Sequence, residues 1–167
     1  MLKKWLVCAW ILLFLAGCGT QEKLETVSDV YTPQTIAAGE IVFDLPGDAA
    51  EEVFASAQDG TLYLCDNYTI TVQTLPGGDL SRTLQTVTGY TAEQLTVLQT
   101  RQDDLDSYRT VWTAAGEGGD QLGRAVIIGD GHYHYVLAVM ADAADAGVVS
   151  DAWKTLFDSF AVSRTGS

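Results

Sequence analysis

Along residues 40–163 the hydrophobic positions change their period several times, and each change marks an element. Tyr68, Ile70 and Val72 alternate with Thr69, Thr71 and Gln73, the period of two that a half-buried strand requires. The apolar run Leu62–Cys65 precedes it, and Asp66-Asn67 between the two predicts a hairpin turn. After the breaker Pro76-Gly77-Gly78, Leu80, Leu84 and Val87 recur at i, i+4 and i+7, which is one face of a helix. Asp79 is placed to cap its start and Gly89 to end it. Strands follow at Leu95–Thr100, Tyr108–Ala114, Arg124–Ile128 and His132–Met140. Turn-forming residues separate them at Gln102–Asp106, Gly116–Asp120 and Gly129–Gly131, so the last three read as an antiparallel meander.

Val149, Trp153, Leu156, Phe157 and Phe160 then hold helical spacing over three turns, with Ser150 as the expected N-cap. At the other end, Glu40–Leu45 reads as a short strand stopped by Pro46, and Asp48–Ser56 as a short helix with Glu51 and Glu52 in its first turns. Ala161-Val162-Ser163 reads as a last edge segment. This order predicts an α+β domain: an antiparallel β-sheet of about six strands, packed by two or three helices mainly on one face.

The first eighteen residues carry a different pattern. Lys3 and Lys4 are followed by an unbroken apolar stretch from Trp5 to Leu15, then by Ala16, Gly17 and Cys18. The stretch is shorter than the roughly 20 apolar residues that span a bilayer. It has the length and charge order of a signal h-region. Leu15-Ala16-Gly17-Cys18 resembles the lipobox of a bacterial type II (lipoprotein) signal peptide, a helical leader. That resemblance implies cleavage between Gly17 and Cys18, acyl chains such as palmitate on Cys18, and anchorage of the mature chain in a lipid bilayer. The implied location is extracytoplasmic: the outer face of the cell membrane, or an outer membrane where one exists. The chain then divides into a signal peptide over 1–17, a lipidated cysteine and flexible tether over 18–39, and one globular domain over 40–167. A tether of some twenty residues reaches roughly 25 Å.

Composition narrows the partners. The chain has 167 residues and a formal net charge of -13; loss of Lys3 and Lys4 with the leader lowers it to -15. A surface this acidic repels phosphate backbones, which excludes nucleic acid, and it repels anionic headgroups too. Of three cysteines, Cys8 leaves with the leader and Cys18 takes the lipid, so Cys65 alone remains and no intramolecular disulfide forms. Cys65 ends an apolar run beside Asp66, a setting for a buried and inert thiol.

Three segments in order, Phe43-Asp44-Leu45-Pro46, the meander from Tyr108 to Met140, and Ser159-Phe160 after the amphipathic helix, resemble the PsbP/Mog1-like group of small domains. The group includes many bacterial surface lipoproteins. The resemblance implies a non-enzymatic role in binding or assembly, with a protein or envelope component as partner. The group has no universal catalytic motif, and no cofactor is implied. The scarcity of basic residues here departs from members that bind anionic partners.

The candidate chemistry is sparse. His132 and His134 are two apart on an expected strand and so share a face; with Asp130 they form the only constellation suited to Zn²⁺ or a similar ion. The same pattern fits two half-exposed histidines after a turn. Asp103, Asp104 and Asp106 lack the spacing of an EF-hand loop. The glycine-rich Gly116–Gly123 segment lacks the phosphate-binding lysine and carries acid. No hydrolase motif is present. Tyr108, Trp112, Tyr133 and Tyr135 are either core or, if they line one exposed sheet face, a binding surface for a sugar, peptide or protein strand.

Overall fold

The computed structural model describes residues 36–52, 60–102, 104–116 and 118–163. The leader, Gly17, Cys18 and nearly all of the tether lie outside the described residues, as do residues 53–56 of the Asp48–Ser56 segment. No described helix is long and apolar enough to cross a membrane.

Among the described residues nine strands and two helices follow in order: β1 Glu40–Val42, β2 Ala50–Glu52, β3 Gly60–Leu64, β4 Tyr68–Pro76, α1 Leu80–Thr88, β5 Val97–Gln102, β6 Leu105–Gly116, β7 Gly119–Gly129, β8 Tyr133–Asp142, α2 Ser150–Ser159 and β9 Ala161–Ser163. A 3₁₀ turn, Ala92–Gln94, lies between α1 and β5. Seven strands form one antiparallel sheet in the order β2-β3-β4-β8-β7-β6-β5, while β1 and β9 pair separately as a two-stranded ribbon. The α+β class and the meander agree with the sequence reading. Each strand of the meander runs longer than its apolar stretch, because polar residues near the hairpin turns still complete the ladder.

The α1 caps follow their expected chemistry. Asp79 Oδ1 accepts a hydrogen bond from Arg82 N at 3.0 Å. Gly89 closes the helix at φ 79°, donating its N–H to Gln85 O. In α2 the cap differs from expectation: Val149 holds the N-cap position without a side-chain hydrogen bond, and Ser150 is already the first helical residue. The Asp48–Ser56 helix is also corrected, since Ala50–Glu52 pairs with β3 as an edge strand.

The larger correction concerns the layers. The two helices pack on opposite faces of the sheet. Ile70, Val126, Leu137 and Val139 meet Trp153, Leu156 and Phe157 of α2. Ala125, Ile127, Val136 and Ala138 lie on the other side with Leu84 of α1. Residues Ala125–Gly129 of β7 and His134–Val139 of β8 are therefore buried without interruption. A strand covered on both faces carries an apolar run in place of alternation. The runs Ala125–Ile128 and Tyr135–Met140 were that signal.

Two of the segments that carried the family resemblance meet in space. Ser159, at the end of α2, accepts a hydrogen bond at Oγ from Asp44 N at 2.9 Å, and Ile41 of β1 pairs with Val162 of β9. Phe43 packs its ring edge to face on Tyr63, with centroids 6.0 Å apart.

Candidate functional site

His132, His134 and Asp130 do not assemble a metal site. His132 is exposed in the turn before β8, so the two-residue spacing no longer puts both rings on one strand face. His134 is buried, its Nδ1 2.7 Å from Thr83 Oγ1 of α1 and its ring edge against Tyr108. Burial pushes the His134 pKa down, opposed in part by Asp130 and Asp79. Among the described residues no three His, Cys, Asp or Glu side chains group to hold an ion.

Asp130 is instead a structural latch. Its Oδ1 accepts the N–H groups of His132 and Tyr133, each at 2.8 Å, and its Oδ2 accepts the Tyr135 hydroxyl at 2.8 Å. Burial favours the neutral acid, but those three donors outweigh it and hold the carboxyl below the usual carboxylate range. The Tyr135 oxygen also accepts Gly39 N at 2.7 Å, and Tyr133 donates its hydroxyl to Ile36 O at 2.8 Å. The segment leading into β1 is thereby fastened to the end of β8.

The four aromatic residues do not form one exposed surface. Tyr133 and Tyr135 belong to the α2 face and Tyr108 and Trp112 to the α1 face. Tyr135 is wholly buried and Trp112 nearly so. The reason for the latter is Gly123, opposite Trp112 on β7: the indole lies where a Cβ would be. Cys65 is half-buried, and burial pushes its thiol pKa up.

The surface that remains open is one no aromatic motif pointed to. On its own face, α2 covers β4, β8 and β7, and the strip of sheet formed by β6 and β5 stays bare. Two concavities of ≈ 510 and ≈ 590 Å³ run along this strip and share Arg109. Their floor carries Leu98, Thr100, Ser107, Arg109 and Val111; Trp153, Phe157 and Phe160 make the inner wall. Leu98 is 60% exposed and Val111 55%.

The β6–β7 register places two cations in this groove. Arg109 pairs with Val126 and Arg124 with Val111, so both arginines point to the α2 face one diagonal step apart, about 7 Å between backbones. The Arg124 guanidinium stacks over Phe157 at 4.9 Å from the ring centroid, a contact that orients it without neutralising it. The sequence signal was available in principle. A hairpin closed at Gly116 and Gly119 fixes which residues of Tyr108–Ala114 face Arg124, and only that register brings the two arginines together.

These features define the class: an α+β domain with an open, cation-bearing groove beside its closing helix. Among solved structures the fold is similar to cyanobacterial PsbP (CyanoP) from Synechocystis, at 14% identity over 78% of this chain and 95% of that one, with a TM-score of 0.54. It is likewise similar to LpqN of Mycobacterium tuberculosis, a protein involved in cell envelope biogenesis, at 13% identity over 75% of this chain and 86% of that one, TM-score 0.50. A Bacteroides thetaiotaomicron protein matches at 12% identity and TM-score 0.52, with 76% of this chain covering 46% of that one. At these identities the likeness is one of fold. No protein-family model and no curated protein sequence matches the chain.

Proposed function

We propose that this chain is a lipid-anchored extracytoplasmic lipoprotein, held in the bilayer through Cys18, whose domain is a non-enzymatic binding or assembly module for a protein or envelope component. The observation that carries the reading is the bare strip beside α2. Leu98 and Val111 are two of the six large apolar side chains that stand exposed among the described residues, and both lie on the floor of one groove. Clustered exposed apolar groups mark interaction surfaces. The groove is open along its length, which suits part of a larger partner better than an enclosed small molecule. Three of the groups with displaced pKa values, Asp130, Tyr135 and His134, are engaged in packing and hydrogen bonds away from the groove, and no group with a displaced pKa lines it, which favours binding over chemistry. The mycobacterial neighbour's part in envelope biogenesis fits the same role for a chain whose apolar leader runs into Leu15-Ala16-Gly17-Cys18.

Two experiments test the two halves. Cells fed labelled palmitate are expected to label the wild-type chain and not Cys18→Ala; normal labelling of the variant refutes the anchor. Cross-linking in the native cell, followed by affinity recovery and mass spectrometry, is expected to yield one reproducible partner. None above background refutes the module reading.

A further inference from the structure

The groove also specifies the chemistry of what it binds. Resting on the binding-module reading, we propose that it docks an extended segment of a partner protein in which carboxylate and apolar side chains alternate, the carboxylates meeting Arg109 and Arg124. Charge is the first argument. In a chain of net charge -13, these two guanidiniums share one groove and neither has a carboxylate within 4 Å among the described residues, whereas Arg101 has Asp104 at 3.7 Å. Unpaired guanidiniums beside apolar surface match carboxylates in forked geometry. An acidic partner is repelled by the rest of this surface, so the groove is where it is tolerated.

Shape is the second argument. The floor follows β6 from Leu105 to Val111, about 20 Å of extended chain, room for some six residues of a bound segment. Successive side chains of such a segment point to opposite sides. Carboxylates on one side of it stand about 7 Å apart, matching the two arginines, and Leu98 and Val111 border those arginines on the same sheet face. Asp158 lines the far end beside Phe160 and Val162, so the segment's acidic residues belong at the Arg109–Arg124 end and an uncharged, apolar part at the other. A free fatty acid offers one carboxylate, not two, and leaves half of this pattern unused.

The test uses the full lipidated chain in detergent micelles. Two acetylated eight-residue peptides serve as probes, one alternating glutamate with leucine and the other lysine with leucine, with decanoate as a third ligand. The glutamate peptide is expected to bind at least tenfold more tightly than the lysine peptide and to shift the Arg109 and Arg124 Nε–H signals. R109Q/R124Q is expected to abolish that preference, and R109E/R124E to reverse it. Arg109 is exposed, so R109Q alone keeps the fold, checked by an unchanged melting temperature, and is expected to weaken glutamate-peptide binding severalfold. Equal binding of the two peptides, affinity unchanged in the charge variants, or decanoate alone occupying the groove would each overturn the proposal. The same variants separate it from the broader reading. A partner captured equally by wild type and R109E/R124E in cells overturns the groove proposal and leaves the module standing; no partner from either defeats both.

Discussion

Tyr135→Phe isolates the latch that joins the chain entering β1 to the sheet. The ring of Tyr135 is fully buried, so phenylalanine keeps its packing and removes one oxygen. That oxygen accepts from Gly39 N at 2.7 Å and donates to Asp130 Oδ2 at 2.8 Å. A hydrogen bond to a charged group contributes about 1.5–3 kcal/mol, and a partner left unpaired adds its own desolvation cost. Water can reach the partly buried Gly39 N–H and recovers some of that loss, so the expected destabilisation is about 2 kcal/mol. For a domain of this size it lowers Tm by roughly 6–10 °C. The pH dependence gives a second, independent check. Asp130 has a folded pKa below its unfolded value, so its contribution is complete above about pH 4 and is lost as pH falls through the depressed folded value. The variant weakens that depression. Thermal melts of wild type and variant are therefore expected to differ fully at pH 7 and to converge at acid pH, with faster amide exchange at Gly39 in the variant. A Tm loss under 2 °C at pH 7, or a gap that persists unchanged in acid, would refute the latch.

Other outcomes follow from the packing. Gly123→Ala drives a Cβ into the Trp112 indole, and because β7 is flanked on both sides the backbone cannot retreat; a loss of about 2–3 kcal/mol and a red-shifted tryptophan emission are expected, and a neutral change would contradict the close approach. Leu84→Ala removes a fully buried anchor of α1, with an expected cost of about 2–5 kcal/mol by denaturant titration. His134 has a depressed folded pKa, so the stability it gives as a neutral ring is present above about pH 6.5 and falls as pH drops below that value; His134→Gln is expected to flatten the loss measured between pH 7 and pH 5. The half-buried Cys65 thiol, with its raised pKa, is expected to react slowly with a thiol reagent in the folded chain and rapidly in denaturant.

Much of the fold was legible because local chemistry and tertiary packing agree. Asp79 and Gly89 bracket α1 as their capping chemistry requires, and Val149, Trp153, Leu156, Phe157 and Phe160 are all buried on one side of α2. The misreadings share a physical cause: they concern what lies across the sheet. Tyr133, Tyr135, Leu137 and Val139 satisfy a one-sided pattern, and only the equally apolar Val136 and Ala138 between them reveal a second helix on the opposite face. That second layer turned His134 from a half-exposed ligand candidate into a packed partner of Thr83. Trp112 looked available for binding because nothing near it in sequence announces Gly123 as its seat. Arg109 and Arg124, fifteen positions apart, become neighbours only through the β6–β7 register. The groove itself follows from α2 covering β4, β8 and β7 and stopping short of β6 and β5, a matter of helix placement that no residue pattern encodes.

The most direct test of the account places a photo-activated cross-linking residue at chosen positions in the native cell. Leu98 and Val111 report on the groove, and Thr86, exposed on α1 across the sheet, reports on the opposite face. One partner adduct is expected from Leu98 and Val111, none from Thr86, with loss of the adduct in R109E/R124E. An adduct from Thr86 alone, or groove adducts indifferent to the arginines, would contradict it.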